Sequence, residues 1–310
     1  MAETQRPAAA DCNSIRTLLA EATATLRRQA LEHGNQHFSD TPWLDAVVLL
    51  GIALELSREQ LFARMEDPLS SEQCAAYLAL LRRRLNGEPI AYIRGSQEFF
   101  SRDFLVDSRV LIPRPDTEIL VEAVLALVDR DPDITRVHDC CTGSGCVAIT
   151  LALERPRLSV SASDNSESAL EVCRENVRRL APGRVTVFRS DLLAQAAGSY
   201  DLIVANPPYL TDDEVKEIAA AGGKEPAMAL AAGADGLDVI RRLVAHSVEH
   251  LRPSRYLVIE GAFDQRASVF DVFHQHGLTD CSVIRDLSGR DRVYVSRRAV
   301  AADDSNAGGV

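Results

Sequence analysis

The chain holds no stretch approaching the roughly 18 uninterrupted apolar residues of a helical membrane span. Its start, Met1-Ala-Glu-Thr-Gln-Arg-Pro-Ala, lacks the basic opening and apolar core of a signal peptide, so a cytoplasmic protein is expected. Positive charge is in deficit, with 34 Lys and Arg against 45 Asp and Glu and a net charge of −11. Proteins that track nucleic acid usually present a basic face, and clusters such as Arg82-Arg83-Arg84 also occur on ordinary helix surfaces. The balance favours a protein or small-molecule substrate, with no direct nucleic-acid partner. The seven cysteines are odd in number and irregularly spaced, which points to free thiols. Cys140, Cys141 and Cys146 do not complete a zinc set, and no HExxH pattern surrounds His246 and His250, so no metal centre is expected.

What is present describes a globular chain, 46% apolar and 25% charged, and 310 residues suggest two domains. Residues 1–11 read as loose. Ile15, Leu18, Leu19, Ala22 and Leu26 recur at helical spacing. Thr41-Pro42 reads as an N-cap with Pro at the first helical position. Ser57 with Gln60, and Ser70 with Gln73, have the spacing of capping boxes, and Gly87 closes the last helix. Residues 1–88 are therefore expected to form a helical domain, with macromolecular recognition as its functional reading and a stabilising lid as the plain alternative. Residues 89–112 read as a β-hairpin linker, with strands at Ile90-Ala-Tyr-Ile-Arg94, Glu98-Phe-Phe100 and Asp103-Phe-Leu-Val106.

Residues 113–298 open with a helix from Thr117 and then alternate strand and helix, the mark of a doubly wound α/β sheet. Seven strands are expected, at 135–140, 158–163, 184–189, 200–206, 255–261, 280–286 and 291–297. Helices are expected at 145–154, 166–180, 237–251 and 264–276. The last two strands are too close for a parallel crossover and should form a hairpin. Residues 299–310 read as a disordered tail.

Asn206-Pro207-Pro208-Tyr209 follows the apolar run Tyr200-Asp-Leu-Ile-Val-Ala205. Ligands of open α/β sheets sit beyond such strand ends. Asn206 offers an acceptor and two donors for a planar amide or amino group, and the prolines hold the backbone while exposing carbonyls. Tyr209 adds an aromatic face with a polar tip. Taken alone, the tetrapeptide is as well explained as a Pro-rich turn. Upstream, Asp139-Cys-Cys-Thr-Gly-Ser-Gly145 is a small-residue loop between a strand and its helix, where a ligand can approach backbone N–H groups. Asp164 follows the second strand, where it should reach ribose hydroxyls. Asp191 follows the third, beside the place of an adenine. The ordered set is specific where each member alone is not.

At these residues the chain resembles the class I S-adenosylmethionine-dependent methyltransferases that modify a planar –NH2. More narrowly, it is similar to the peptide-chain release factor glutamine N5-methyltransferases, the PrmC/HemK family. The resemblance covers residues 41–298. It rests on Leu111-Ile-Pro-Arg-Pro-Asp-Thr-Glu118, the 139–145 loop, Asp164, the 206–209 tetrapeptide, Glu225-Pro226 and Asp286-Leu-Ser-Gly-Arg-Asp-Arg292. It implies S-adenosyl-L-methionine as cofactor and S-adenosyl-L-homocysteine as product. Asp139, Cys141, Thr142, Gly143, Ser144, Gly145, Asp164, Asp191, Leu192 and Asn206 are then expected to hold the cofactor. Asn206 to Tyr209 are expected to hold the substrate amide, with Arg114, Thr117, Glu118 and Glu225 in support. The implied acceptor is the Gln of a Gly-Gly-Gln loop in class 1 release factors, and a monomer is expected.

Two departures stand out. The family loop usually has Gly where this chain has Cys141; a left-handed backbone would strain a cysteine there, so Cys141 is expected at negative φ. Ala262 also stands where the family tends to have Gly. The run Cys141-Thr-Gly-Ser-Gly-Cys146 is also similar to a sister family that methylates Gln in a large-subunit ribosomal protein. An adenine-N6 methyltransferase remains a further alternative, since an exocyclic amino group fits the same tetrapeptide.

Overall fold

In the computed structural model, residues 14–32 and 41–299 are described. Residues 1–11, Cys12 and the tail beyond residue 299 lie outside them. The chain divides into two compact units, Met1–Gly95 with Glu217–Lys224, and Ser96–Lys216 with Glu225–Val310.

The first unit carries α1 (Ile15–Glu32), α2 (Pro42–Leu54), α3 (Arg58–Ala63), α4 (Ser71–Leu85) and α5 (Ile90–Arg94). Both capping boxes form: the hydroxyls of Ser57 and Ser70 accept from the backbone of Gln60 and Gln73, whose side chains accept in return. Pro42 opens α2 as expected, but the Thr41 side chain makes no cap bond. Leu18, Leu19, Leu26, Val47, Leu49, Leu50, Leu61 and Tyr77 form the core. A buried ion pair, Arg84 Nε to Asp45 Oδ2 at 2.8 Å, joins α4 to α2.

The expected strand at 90–94 is instead the helix α5. It is entered from Pro89 and closed by Gly95 at φ 77, whose N–H donates to the Ala91 carbonyl at 2.8 Å. A five-residue apolar run has no periodicity to separate helix from strand, and burying Ala91, Tyr92 and Ile93 together decides for the helix.

The second unit opens with a hairpin, β1 (Ser96–Phe99) and β2 (Arg102–Leu105), turning through Phe100 and Ser101 at positive φ. Then follow α6 (Pro115–Arg130), β3 (Arg136–Cys140), α7 (Cys146–Glu154), β4 (Ser159–Asp164), α8 (Glu167–Leu180), β5 (Val185–Arg189) and β6 (Tyr200–Ala205). The chain continues through α9 (Asp212–Ala220), α10 (Asp238–His250), β7 (Leu251–Glu260), α11 (Arg266–Gln275), β8 (Leu278–Arg285) and β9 (Asp291–Arg298). The seven main strands lie in the order β5-β4-β3-β6-β7-β9-β8. β8 and β9 form the expected hairpin, and β9 inserts antiparallel against β7. The helix α9 falls where no helix was expected. Its start carries a legible signal, Thr211 to Glu214, in which each side chain accepts from the other's backbone N–H at 3.2 and 2.8 Å.

The sheet is covered on both faces. Leu202, Val204 and Val258 pack into one cluster with α6, α7 and α8, while Ile203, Ala205, Leu257 and Ile259 pack into the other with α10 and α11. Burial on both sides explains why 200–205 reads as a run rather than an alternation. Sheet order reverses between β3 and β6, so their carboxyl ends flank a crevice where the sequence places its candidate residues.

Candidate active site

The loop after β3 is tied at both ends by carboxylates. Asp139 Oδ2 accepts from the Thr142 hydroxyl at 2.6 Å and the Ala148 amide at 3.1 Å. Asp164 Oδ2 accepts from the Gly143 amide at 2.9 Å, and its Oδ1 takes the Ser166 amide at 2.9 Å. Burial pushes the Asp139 carboxyl up to about 7 against those bonds, with Asp164 adding repulsion. Burial also raises Asp164, opposed by the backbone N–H groups it holds. Two glycines are required for different reasons. A Cβ on Gly145, at φ 84, would lie 2.7 Å from Cys173 Sγ, whereas Gly143, at φ 54, has open space beside it.

Cys141 lies at φ 61, so the expectation of a negative φ is corrected. The loop imposes the left-handed geometry: Thr142 N donates to Ser163 O at 3.0 Å, and the turn then closes through Gly145 N to Thr142 O at 2.8 Å. A single left-handed L-residue costs about 1–2 kcal/mol, which the surrounding hydrogen bonds outweigh.

These groups open onto a cavity of about 550 Å3, within the range of small-molecule sites. Of the expected cofactor set, Asp139, Cys141, Thr142, Gly143, Ser144, Asp164, Asp191, Leu192 and Asn206 line it; Gly145 does not. Asp191 is paired with Arg242 of α10 at 2.7 Å, a partner that sequence reasoning missed, and both line the cavity. Of the tetrapeptide, Asn206 and Pro208 line the cavity while Pro207 is buried. Tyr209 does not reach it. The residue borders a second cleft, and its hydroxyl lies 3.4 Å from Glu260 Oε1. Burial pushes the Tyr209 phenol up to about 12.

Among the supporting residues, Arg114 and Thr117 line the cavity. Arg114 pairs with Glu225, whose other oxygen accepts from the Ile112 amide at 3.0 Å. Glu118 instead anchors the hairpin by accepting from the Phe100 amide at 2.7 Å. Thr117 Oγ1 accepts from Asn206 Nδ2 at 3.1 Å. Glu260 was not singled out from sequence; the available signal was an acidic side chain at the end of an apolar strand that is 1% exposed once folded. Among the described residues, no group of three or more His, Cys, Asp or Glu is placed to hold a metal ion, and no helix is long and apolar enough to cross a membrane.

Known proteins resemble both parts of the chain. The PrmC N-terminal domain family matches residues 17–95, and the methyltransferase small domain family matches residues 115–225. A release factor glutamine methyltransferase of Moorella thermoacetica is 40% identical over 288 residues, 92% of this chain and 99% of the relative. One from Neisseria gonorrhoeae is 41% identical over 265 residues, 84% of this chain and 94% of the relative. Among solved structures, the hMettl16 catalytic domain in complex with an RNA hairpin superposes with a TM-score of 0.52 at 15% identity, over 73% of this chain and 93% of that one. That likeness speaks for the fold alone.

Sheet order, loop and cavity together define a class I methyltransferase. At 40% identity over nearly the whole of both chains, the chain belongs to the release factor glutamine methyltransferase family.

Proposed function

We propose that the chain transfers a methyl group from S-adenosyl-L-methionine to the side-chain amide N5 of the Gln in the Gly-Gly-Gln loop of class 1 release factors. Membership of the family supports the substrate class. The observation that carries the chemistry is Asn206: its Nδ2 is engaged by Thr117, so Oδ1 is left for a ligand in the cavity that Asn206 lines.

The cavity suits the cofactor. It combines a buried carboxylate, Asp139, and a half-buried one, Asp164, with a glycine backbone bare on one side at Gly143. Asp164 would take the ribose hydroxyls, Asp191 and Leu192 would border the adenine, and the loop from Cys141 to Gly145 would receive the amino-acid end. When bound, the cofactor supplies a methyl carbon on a sulfonium; displacement by the amide nitrogen breaks the S–C bond, forms an N–C bond and leaves S-adenosyl-L-homocysteine.

An amide nitrogen is a weak nucleophile because its lone pair is delocalised into the carbonyl. Asn206 Oδ1 and the Pro207 carbonyl accept its two N–H bonds, which fixes the nitrogen and favours the pyramidal geometry of attack. Positioning of this kind can supply several kcal/mol. No residue need remove a proton beforehand, since the methylated amide is cationic and acidic and loses its proton to water. Tyr209 braces this segment: its carbonyl accepts from Gln265 Nε2 at 3.1 Å and its hydroxyl faces Glu260. Arg114 and Glu225 order the chain between residues 211 and 233.

Radiolabelled methyl transfer tests the reading, with purified release factor carrying Gln or Ala in its Gly-Gly-Gln loop, the ribosomal protein, and duplex DNA as acceptors. Label is expected on the release factor only when Gln is present. Label on the ribosomal protein would move the acceptor to the sister family, and label on DNA alone would overturn the glutamine reading.

A further inference from the structure

Thr117 and Asn206 line the cavity, while Tyr209 and Glu260 lie outside its lining, and Glu260 has so far only faced the Tyr209 hydroxyl. Asn206 Nδ2 donates to Thr117 Oγ1 at 3.1 Å. Thr117 is 3% exposed, so its own proton needs an acceptor inside the protein. Glu260, at the end of β7, is 1% exposed; its Oε1 faces the Tyr209 hydroxyl at 3.4 Å, and its Oε2 is buried with no hydrogen-bond partner. No hydrogen bond joins Thr117 to Glu260, yet the Thr117 hydroxyl is near enough to favour the carboxylate's charged form. An unspent donor thus stands beside an unspent acceptor.

An asparagine amide has nearly the same shape when turned over, and shape alone does not decide whether it offers oxygen or nitrogen. A threonine hydroxyl has one proton. Once that proton goes to a carboxylate, the hydroxyl oxygen can only accept, and the amide must turn its nitrogen towards it. We propose that Glu260 is a positioning residue for methyl transfer, taking the Thr117 proton and thereby holding the Asn206 amide with its oxygen towards the substrate nitrogen. This rests on the reading of Asn206 as acceptor for the substrate amide.

Protonation of Glu260 reverses the relay. The acid donates to Thr117, Thr117 is free to donate to Asn206 Oδ1, and the amide presents N–H groups to a substrate –NH2 that is itself a donor. Burial pushes the Glu260 carboxyl up to about 7, opposed by Thr117, Arg292 of β9 and Tyr209, and reinforced by Asp116 of α6. Arg292 is in turn held by Asp286 at 3.2 Å, and Arg114 adds positive charge towards Tyr209. Activity should therefore fall on the acid side of neutrality.

The test compares Glu260→Gln, Thr117→Val and Thr117→Ser for kcat, KM, cofactor affinity by calorimetry, and the pH profile of kcat. Glu260→Gln and Thr117→Val are each expected to lower kcat by about tenfold or more, the order of a charge-assisted hydrogen bond, with cofactor affinity within about twofold. The double variant should be no worse than the poorer single, the acid limb of the profile should vanish in Glu260→Gln, and Thr117→Ser should keep most activity. Wild-type kcat with an unchanged acid limb in Glu260→Gln would overturn the proposal. So would losses in both variants that track lost cofactor binding. If Asn206→Ala is inactive while Glu260→Gln is fully active, only this proposal fails; if Asn206→Ala is fully active, the reading of the site fails with it.

Discussion

Asn206 has two hydrogen-bonding faces, and the protein uses one of them. Nδ2 is spent on Thr117, which leaves Oδ1 as the acceptor the cavity offers. Replacing Asn206 with Ala removes that acceptor and little apolar surface, so kcat should fall by about a hundredfold or more while cofactor affinity by calorimetry stays close to wild type. Equal loss of both quantities would mean that Asn206 serves cofactor binding instead. Cys141 teaches a different lesson. A cysteine at a glycine's place in a family loop was expected to move the backbone to negative φ, but the bonds from Thr142 to Ser163 and from Gly145 to Thr142 hold the turn, and the residue adopts φ 61. Local preference lost to the closing of a loop between two fixed elements.

At the scale of elements, the segment after β6 is held where side chains leave no room. A Cβ on Gly236, at φ 72, would lie 2.4 Å from the Tyr209 carbonyl, and Gln265 Nε2 bonds both the Tyr209 and Gly236 carbonyls at 3.1 Å. Gly236→Ala must push the tetrapeptide aside, and steady-state assay should show a loss of about a hundredfold in kcat/KM, the order expected when reacting groups shift by about 1 Å. In the helical unit, Asp45 and Arg84 are only 11% and 8% exposed at their side chains. Asp45→Ala strands a buried guanidinium, and urea denaturation should show a loss of about 3 kcal/mol or more in that unit.

The same scale shows what a reader of the sequence can see. The capping boxes at Ser57 and Ser70, the α/β alternation and the terminal hairpin were legible because each rests on spacing within a few residues. So were the loop from 139 to 145 and its two aspartates, since strand ends mark where a crevice must lie. The 90–94 helix was not, because five apolar residues between Pro89 and Gly95 satisfy either structure until tertiary burial decides. Glu260, and Arg242 beside Asp191, were not legible as partners. Their relations to Thr117 and Asp191 span 143 and 51 positions, through sheet order rather than spacing.

Across the whole molecule, an acidic chain keeps Asp139 and Glu260 where charge is hardest to hold, each raised to about 7. Between about pH 4 and 7 the folded chain therefore binds protons that the unfolded chain has released. The stability these groups contribute is complete below the unfolded value and lost as pH rises through about 7. Urea unfolding between about pH 5 and 8 should show wild type losing stability relative to Glu260→Gln as pH rises. Parallel curves would place the Glu260 proton elsewhere.

The measurement that bears most directly on the central claim is fragmentation mass spectrometry of release factor incubated with the enzyme and S-adenosyl-L-methionine, with wild-type and Asn206→Ala enzyme compared. One added methyl group on the side chain of the Gln in the Gly-Gly-Gln loop, present with wild type and nearly absent with Asn206→Ala, is the predicted result. Methylation at another residue, or at the same Gln in full yield with Asn206→Ala, would contradict it.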